Sequence, residues 1–243
     1  MVDRLTIRNT PPPGRPLMHQ TWGKLLFLHW PIPTDVLRPH IPARLEIDTF
    51  DGQAWISVTP FTMWNIRLPG LPALPIVSES HELNVRTYVH AGSVPGVWFF
   101  SLDASNALAV LGARLGFGLP YYQAAQTLEE RGETIRFSSR RTHTGAPRAL
   151  LEATWTRGAP LPEAEPDSLD FFLTERYCLY AERGGAVYRS RIFHAPWPLR
   201  KATLDAFDAT MIEAAGLQGY EGEPLLHAQG PPLDVGIWPP KKV

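Results

Sequence analysis

The chain has 243 residues, is 44% hydrophobic, carries a formal net charge of -1 and contains a single cysteine, Cys178. That length supports one sizeable core, the dispersed and nearly balanced charge offers no field for nucleic acid or an anionic membrane surface, and a lone cysteine excludes an internal disulfide, a Cys-x-x-Cys metal pair and a dithiol redox centre. No window is apolar for long enough to span a membrane and the opening Met1-Val2-Asp3-Arg4 lacks the apolar stretch of a secretory signal, so a reducing cytoplasm is the expected location.

The 25 prolines and 19 glycines, spread along the chain, point to many short elements joined by turns, hence a mainly β architecture. Residues 1–18, with the run Pro11-Pro12-Pro13-Gly14, show little periodicity. They read as an arm on the surface or on a neighbouring subunit, which leaves a homo-oligomer open. Residues 19–243 read as one domain. The apolar run Leu25 to Trp30 predicts a buried strand ended by Pro31-Ile32-Pro33, and Thr34 is placed to cap a short helix from Asp35 to Pro39. Leu45 to Asp48 predicts a brief strand, Asp51-Gly52 a hairpin turn and Ala54 to Ile66 a long strand.

Residues 67–80 form a loop with Pro69-Gly70, Pro72 and Pro75. In the strand that follows, Leu83, Val85, Thr87 and Val89 alternate on one face, while Glu82, Asn84, Arg86 and Tyr88 share the other, a polar face for an internal strand. Pro95-Gly96 predicts a hairpin turn into the strand Val97 to Asp103, and Ser105 is placed to cap a helix through Ala107, Leu108, Val110, Leu111 and Leu115. Gly112 and Gly116 on that helix would permit close backbone approach. Strands near 121–129, 133–143 and 149–156 follow as a meander. Ser168 caps a short helix, and Tyr177 to Glu182 and Val187 to His194 flank Arg183-Gly184-Gly185 as a hairpin. Ala202 to Leu217 fits either a strand or a helix.

The polar face is the candidate site. A carboxylate at Glu82 in apolar surroundings would have a raised pKa and could carry a proton, or it could be paired with an arginine; Arg86, four residues on, is about 13 Å along an extended strand. Arg86 could fork onto a ligand carboxylate or pair with Asp103, and Asn84 could serve a ligand carbonyl or an unpaired backbone group. His29 and His81 could add a proton donor, but the eight histidines show no tight ligand spacing, and no metal or cofactor is expected. Ser101 and Ser105 lack a nucleophile elbow, Cys178 lies in an apolar strand, and Gly112, Gly116 and Gly118 do not fall between a strand and a helix as a dinucleotide fingerprint requires.

The pieces Leu28-His29-Trp30-Pro31, Pro60-Phe61, Glu82 to Tyr88 and Gly96 to Asp103, with the ending Val235 to Pro240, resemble the YqjF-like family, a domain of unknown function. That family looks like a distant branch of the acetoacetate decarboxylase superfamily. The resemblance implies an antiparallel β-barrel or double sheet around a central small-molecule cavity, with a few short helices. It places the decarboxylase glutamate on Glu82 and the Gly-Phe-Pro-Lys turn on Gly118-Leu119-Pro120-Tyr121, so the Schiff-base lysine is replaced by a tyrosine. The family's substrate arginine falls around His29-Trp30 and is not matched. The expectation is therefore a cavity with Glu82 as acid or base and Tyr121 polarising an oxygen. His29, Trp30, His81, Asn84, Arg86, Trp98, Phe100, Asp103 and Tyr122 would bind a small carbonyl or carboxylate compound. The alternative is a noncatalytic sensor or scaffold.

Overall fold

The computed structural model describes residues 2–72 and 79–243; Pro75, and the side chains of Leu108, Leu111 and Leu115, lie outside what is described. Strands β1 (Met18–Gly23), β2 (Leu26–Ile32), β3 (Glu46–Ile47), β4 (Ala54–Arg67), β5 (Glu79–Ala91), β6 (Val94–Ala104), β7 (Tyr121–Arg131), β8 (Thr134–Arg141) and β9 (Leu150–Pro160) are followed by β10 (Cys178–Arg183), β11 (Ala186–Phe193), β12 (Leu199–Ala209), β13 (Leu225–Gln229), β14 (Leu233–Ile237) and β15 (Lys241–Lys242). The helices are short: α1 (Arg4–Asn9), α2 (Thr34–Leu37), α3 (Ala107–Phe117), α4 (Leu169–Thr174) and α5 (Met211–Ala214).

All the strands join one 15-stranded sheet whose hydrogen-bonding path closes on itself twice. One circuit runs β2-β4-β5-β6-β7-β8-β9-β12-β13 and back to β2. The other runs β1-β4-β5-β6-β10-β11-β14 and back to β1. Strands β4, β5 and β6 belong to both, so each of their faces is covered. That is why Ala54 to Met63 reads as a nearly unbroken buried run and why β5 alternates between apolar and polar with neither face wet. The expected antiparallel pairing holds except at β6, which runs parallel to β7 and to β10.

The first circuit is filled by the main core, with Leu28, Trp30, Ile56, Val58, Leu83, Val85, Phe137, Leu151 and Trp155 buried together. The second encloses a cavity of about 550 Å³ whose wall takes residues from every one of its strands. The polar face of β5 looks into this cavity.

Several local expectations change. Residues 1–18 are not featureless: α1 is capped by Asp3, which accepts the Thr6 amide, and β1 begins at Met18. Pro31 continues β2 instead of ending it. Helix α2 is capped at Pro33 with no side-chain bond from Thr34, and a 3-10 turn, Arg38–His40, follows it. The β5–β6 hairpin turns at Gly92-Ser93, where Ala91 pairs with Val94, so Pro95 and Gly96 lie inside β6. Gly96 is needed there because a Cβ would stand 2.7 Å from the Cys178 carbonyl oxygen. Gly112 and Gly116, by contrast, have nothing within 4 Å of an added Cβ. Helix α3 starts at Ala107, and Ser105 Oγ accepts the His81 amide. The ambiguous stretch after Ala202 divides into the end of β12 and α5, separated at Thr210.

Candidate functional site

Strand β5 supplies Ser80, Glu82, Asn84 and Arg86 to one wall of the cavity. The period of two keeps them on one face, and β5 carries no extra residue to break it. Strand β6 does: Arg86 pairs with Phe99 and Val85 with Ser101, so Phe100 is left over as a bulge. Cavity-facing residues on β6 therefore change parity across it, Val97 and Phe99 before and Leu102 and Ala104 after. The cavity expected from the resemblance has Trp98 and Phe100 in its wall; they point the other way, pack against the main core, and line a separate groove with His40 and Tyr180.

Glu82 is 3% exposed and accepts a 2.7 Å hydrogen bond from the Tyr121 hydroxyl. Burial pushes its carboxyl up to about 7 against the opposing hydrogen bonds of Tyr121 and Asn84, and Asp103 adds to the rise. The Tyr121 hydroxyl is held well above its ordinary value by burial and by Glu82, so it stays protonated and donates. Tyr121 reaches Glu82 because β7 starts beside β6, with Leu102 opposite Tyr121, directly after the turn in which Gly118 takes a φ of 70° and Leu119 joins the cavity wall. The residue that stands where the resemblance puts a lysine thus meets the carboxylate, with a hydroxyl in place of an amine. None of Lys24, Lys201, Lys241 or Lys242 lines the cavity, and Lys24 pairs with Glu130.

Arg86 is enclosed by protein yet keeps accessible surface, which it presents to the cavity. Its guanidinium lies 5.2 Å from the Phe27 ring centroid, and its Nε has no hydrogen-bond partner. The alternative of a pair with Asp103 does not occur. Asp103 is gripped by Nε and Nη2 of Arg141, at 2.6 and 2.7 Å, on the opposite face of β6. Asp103 is therefore structural and outside the cavity. Asn84 lines the cavity with its Oδ1 unpartnered.

The remaining candidates sit elsewhere. Tyr122, next to Tyr121 on an alternating strand, faces away and stacks under Arg141 at 4.1 Å. His81 falls on the core face of β5, shares a 2.9 Å hydrogen bond with Thr62 and packs edge-on against Phe137. Trp30 belongs to the main core and donates to the Gly222 carbonyl. His29 is fully buried behind the wall, 3.1 Å from the Tyr88 hydroxyl, and burial holds it neutral.

Sequence reasoning missed Arg176, which lines the cavity at 4% exposure. It follows α4 in a segment with no periodicity, and the buried Asp48 holds its Nη1 at 2.6 Å. Its Nε donates to the Phe172 carbonyl while its Nη2 is unpartnered. Also missed were the apolar walls formed by Trp22, Phe61, Met63 and Trp197. Among the described residues no three histidine, cysteine, aspartate or glutamate side chains gather as a metal site, and no helix is long and apolar enough to cross a membrane.

The fold is similar to that of solved acetoacetate decarboxylase-like proteins. The acetoacetate decarboxylase structure superposes with a TM-score of 0.60 at 15% identity, covering 100% of this chain and 98% of that one. An acetoacetate decarboxylase-like enzyme from Sphingomonas wittichii RW1 gives 0.61 at 12% identity, over 97% and 98%. The enduracididine biosynthesis enzyme MppR complexed with pyruvate gives 0.61 at 12% identity, over 96% and 93%. At these identities the likeness is one of fold. The chain itself belongs to the DUF2071 family, described as an uncharacterized conserved protein, which matches residues 19–231. It is 42% identical to the uncharacterized protein YqjF of Bacillus subtilis (strain 168) across 243 residues, all of this chain and 99% of that one.

Proposed function

We propose that the cavity binds a small carbonyl or carboxylate compound and that Glu82 and Tyr121 act on it together as a proton-transferring pair. The observation that carries this reading is a carboxyl pushed up to about 7 in the wall of a 550 Å³ cavity and hydrogen-bonded to a tyrosine that lines the same cavity. A group that titrates near neutrality gives and takes protons with the least penalty at that pH. With Glu82 ionised, the Tyr121 proton is committed to it. With Glu82 protonated, its proton can pass to the Tyr121 oxygen as the tyrosine O–H proton passes to a ligand carbonyl oxygen, and the Glu82 carboxylate so formed takes a proton from the carbon next to that carbonyl, leaving the enol; the reverse steps return a solvent-exchanged proton to carbon. Fold neighbours that include an enzyme complexed with pyruvate agree with a small oxo compound as occupant. Imine chemistry is disfavoured because no lysine lines the cavity.

The test is exchange of carbon-bound protons next to a carbonyl, followed by NMR in heavy water over a panel of ketones and keto acids. The expected result is exchange that falls about 100-fold or more in Glu82→Gln and is also reduced in Tyr121→Phe. Exchange catalysed equally by Glu82→Gln would remove Glu82 from the mechanism. The alternative of a noncatalytic sensor is favoured by the mutual satisfaction of Glu82 and Tyr121; it is the reading left if ligands bind and none exchanges.

A further inference from the structure

The cavity holds a positive charge that the protein does not neutralise. Arg141 has Asp103 and Arg176 has Asp48, whereas Arg86 forms no ion pair with any described residue. The carboxyl that acts on it is Glu82, which lies four residues along the same strand and is held up to about 7. That separation is about 13 Å of backbone. The other groups that feel Arg86 do not offset it. His29 and His194 are buried and held neutral, and Tyr88, which shares a hydrogen bond with Arg86, is held protonated and so brings no counter-charge. Arg176 adds a second guanidinium to the same cavity, with Nη2 unpartnered. A buried cation without a counter-ion is costly, and a planar guanidinium offers the fork that a carboxylate fits.

The rest of the wall says what that carboxylate is attached to. Trp22, Phe61, Met63, Phe99, Leu179 and Trp197 line a space of about 550 Å³. A three-carbon acid would leave most of that apolar wall uncovered, and each further methylene buried against it raises affinity about fourfold.

We infer that the cavity takes an amphipathic monocarboxylic acid, of medium-chain or aryl-alkanoic size, with its carboxylate on Arg86, beside Arg176, and its apolar body along the aromatic wall. This rests on the reading of the cavity as a ligand site and narrows the class of compound it holds.

Isothermal titration at pH 7 with 4-phenylbutyrate, its uncharged amide 4-phenylbutyramide, and pyruvate tests it on the full chain. The wild-type protein is expected to bind 4-phenylbutyrate at least tenfold more tightly than either the amide or pyruvate. Arg86→Gln is expected to lose about tenfold or more for the acid and to change the amide less than twofold, with Arg86→Lys between. Equal binding of acid and amide by the wild-type protein overturns the carboxylate assignment while leaving the cavity as a ligand site. Tighter binding of pyruvate overturns the apolar assignment. Failure of all three compounds to bind counts against the cavity reading itself and takes the inference with it. The wild-type ratio of acid to amide decides the matter even if the arginine variants do not fold.

Discussion

At the scale of single residues, the energetic signature of this site is a carboxyl that the fold holds at a cost. The folded protein keeps the Glu82 proton up to about pH 7, whereas an ordinary glutamate releases it near 4.5. Folding therefore takes up a proton between those values, and the stability contributed by this group declines as pH rises from about 4.5 to about 7. Glu82→Gln cannot ionise and loses that slope. Relative to the wild type it is expected to gain up to about 3 kcal/mol at pH 8 and little at pH 4.5. Denaturant unfolding of both proteins at the two pH values measures the difference, and an unchanged gap would show that Glu82 does not titrate in this window. The slope opposes that of the buried neutral histidines. His194, lowered to about 4, costs stability as pH falls below the ordinary value of 6.5. Comparing the two proteins at each pH cancels the histidine contribution.

The polar face of β5 was legible at this scale because Glu82, Asn84 and Arg86 stand two apart on a strand without an insertion. Trp98 and Phe100 were misplaced for a physical reason. A bulge leaves no mark in the hydrophobic pattern when the extra residue, here Phe100, is itself apolar. Asp103 was misread because an acid inside a barrel is equally suited to a ligand and to an arginine; Arg141, 38 residues further along, decides for the arginine.

At the scale of elements, β6 is the most constrained strand, since it pairs with β5 antiparallel and approaches β7 and β10 in parallel. Gly96 permits the approach of β10. Gly96→Ala would drive a methyl to 2.7 Å from the Cys178 carbonyl oxygen and 2.8 Å from the Tyr180 ring. The expected loss is about 1–3 kcal/mol in denaturant unfolding, and a neutral outcome would mean that β10 yields readily. Hairpins were legible where turn glycines flank apolar strands, as at Gly184-Gly185, both with positive φ. Strands β1, β13 and β14 were not, because each is short and makes its pairs with strands distant in sequence, such as Met18 with Ile237. The stretch after Ala202 stayed ambiguous because β12 faces solvent over much of its length and lacks an apolar run.

For the whole molecule, the two closed circuits divide the work. One is filled with side chains, the other is left open, and the shared strands carry the core on one side and the polar cluster on the other. The N-terminal arm is tied to the open half. Arg4 shares Asp48 with Arg176, at 2.5 and 2.6 Å, Arg8 bonds Glu163 and lies 3.6 Å from Glu175, and Arg191 donates to the Ile7 and Thr10 carbonyls. Removal of residues 1–10 is expected to leave the sheet folded while lowering Tm by about 4–10 °C, the effect of losing a few such bonds in a chain of this size. Circular dichroism melts check it, and an unaltered Tm would make the arm a passive appendage.

An open circuit that binds a small organic acid or carbonyl compound must be stabilised by that compound. The most direct measurement is a thermal-shift screen of the purified wild-type protein against keto acids, hydroxy acids, aldehydes and aromatic acids, repeated with Glu82→Gln and Arg86→Gln. A ligand at 100 times its Kd is expected to stabilise the wild-type protein by about 2.7 kcal/mol, with the shift reduced in Arg86→Gln. A panel in which no compound raises Tm, or one in which every shift survives both substitutions unchanged, would contradict the claim.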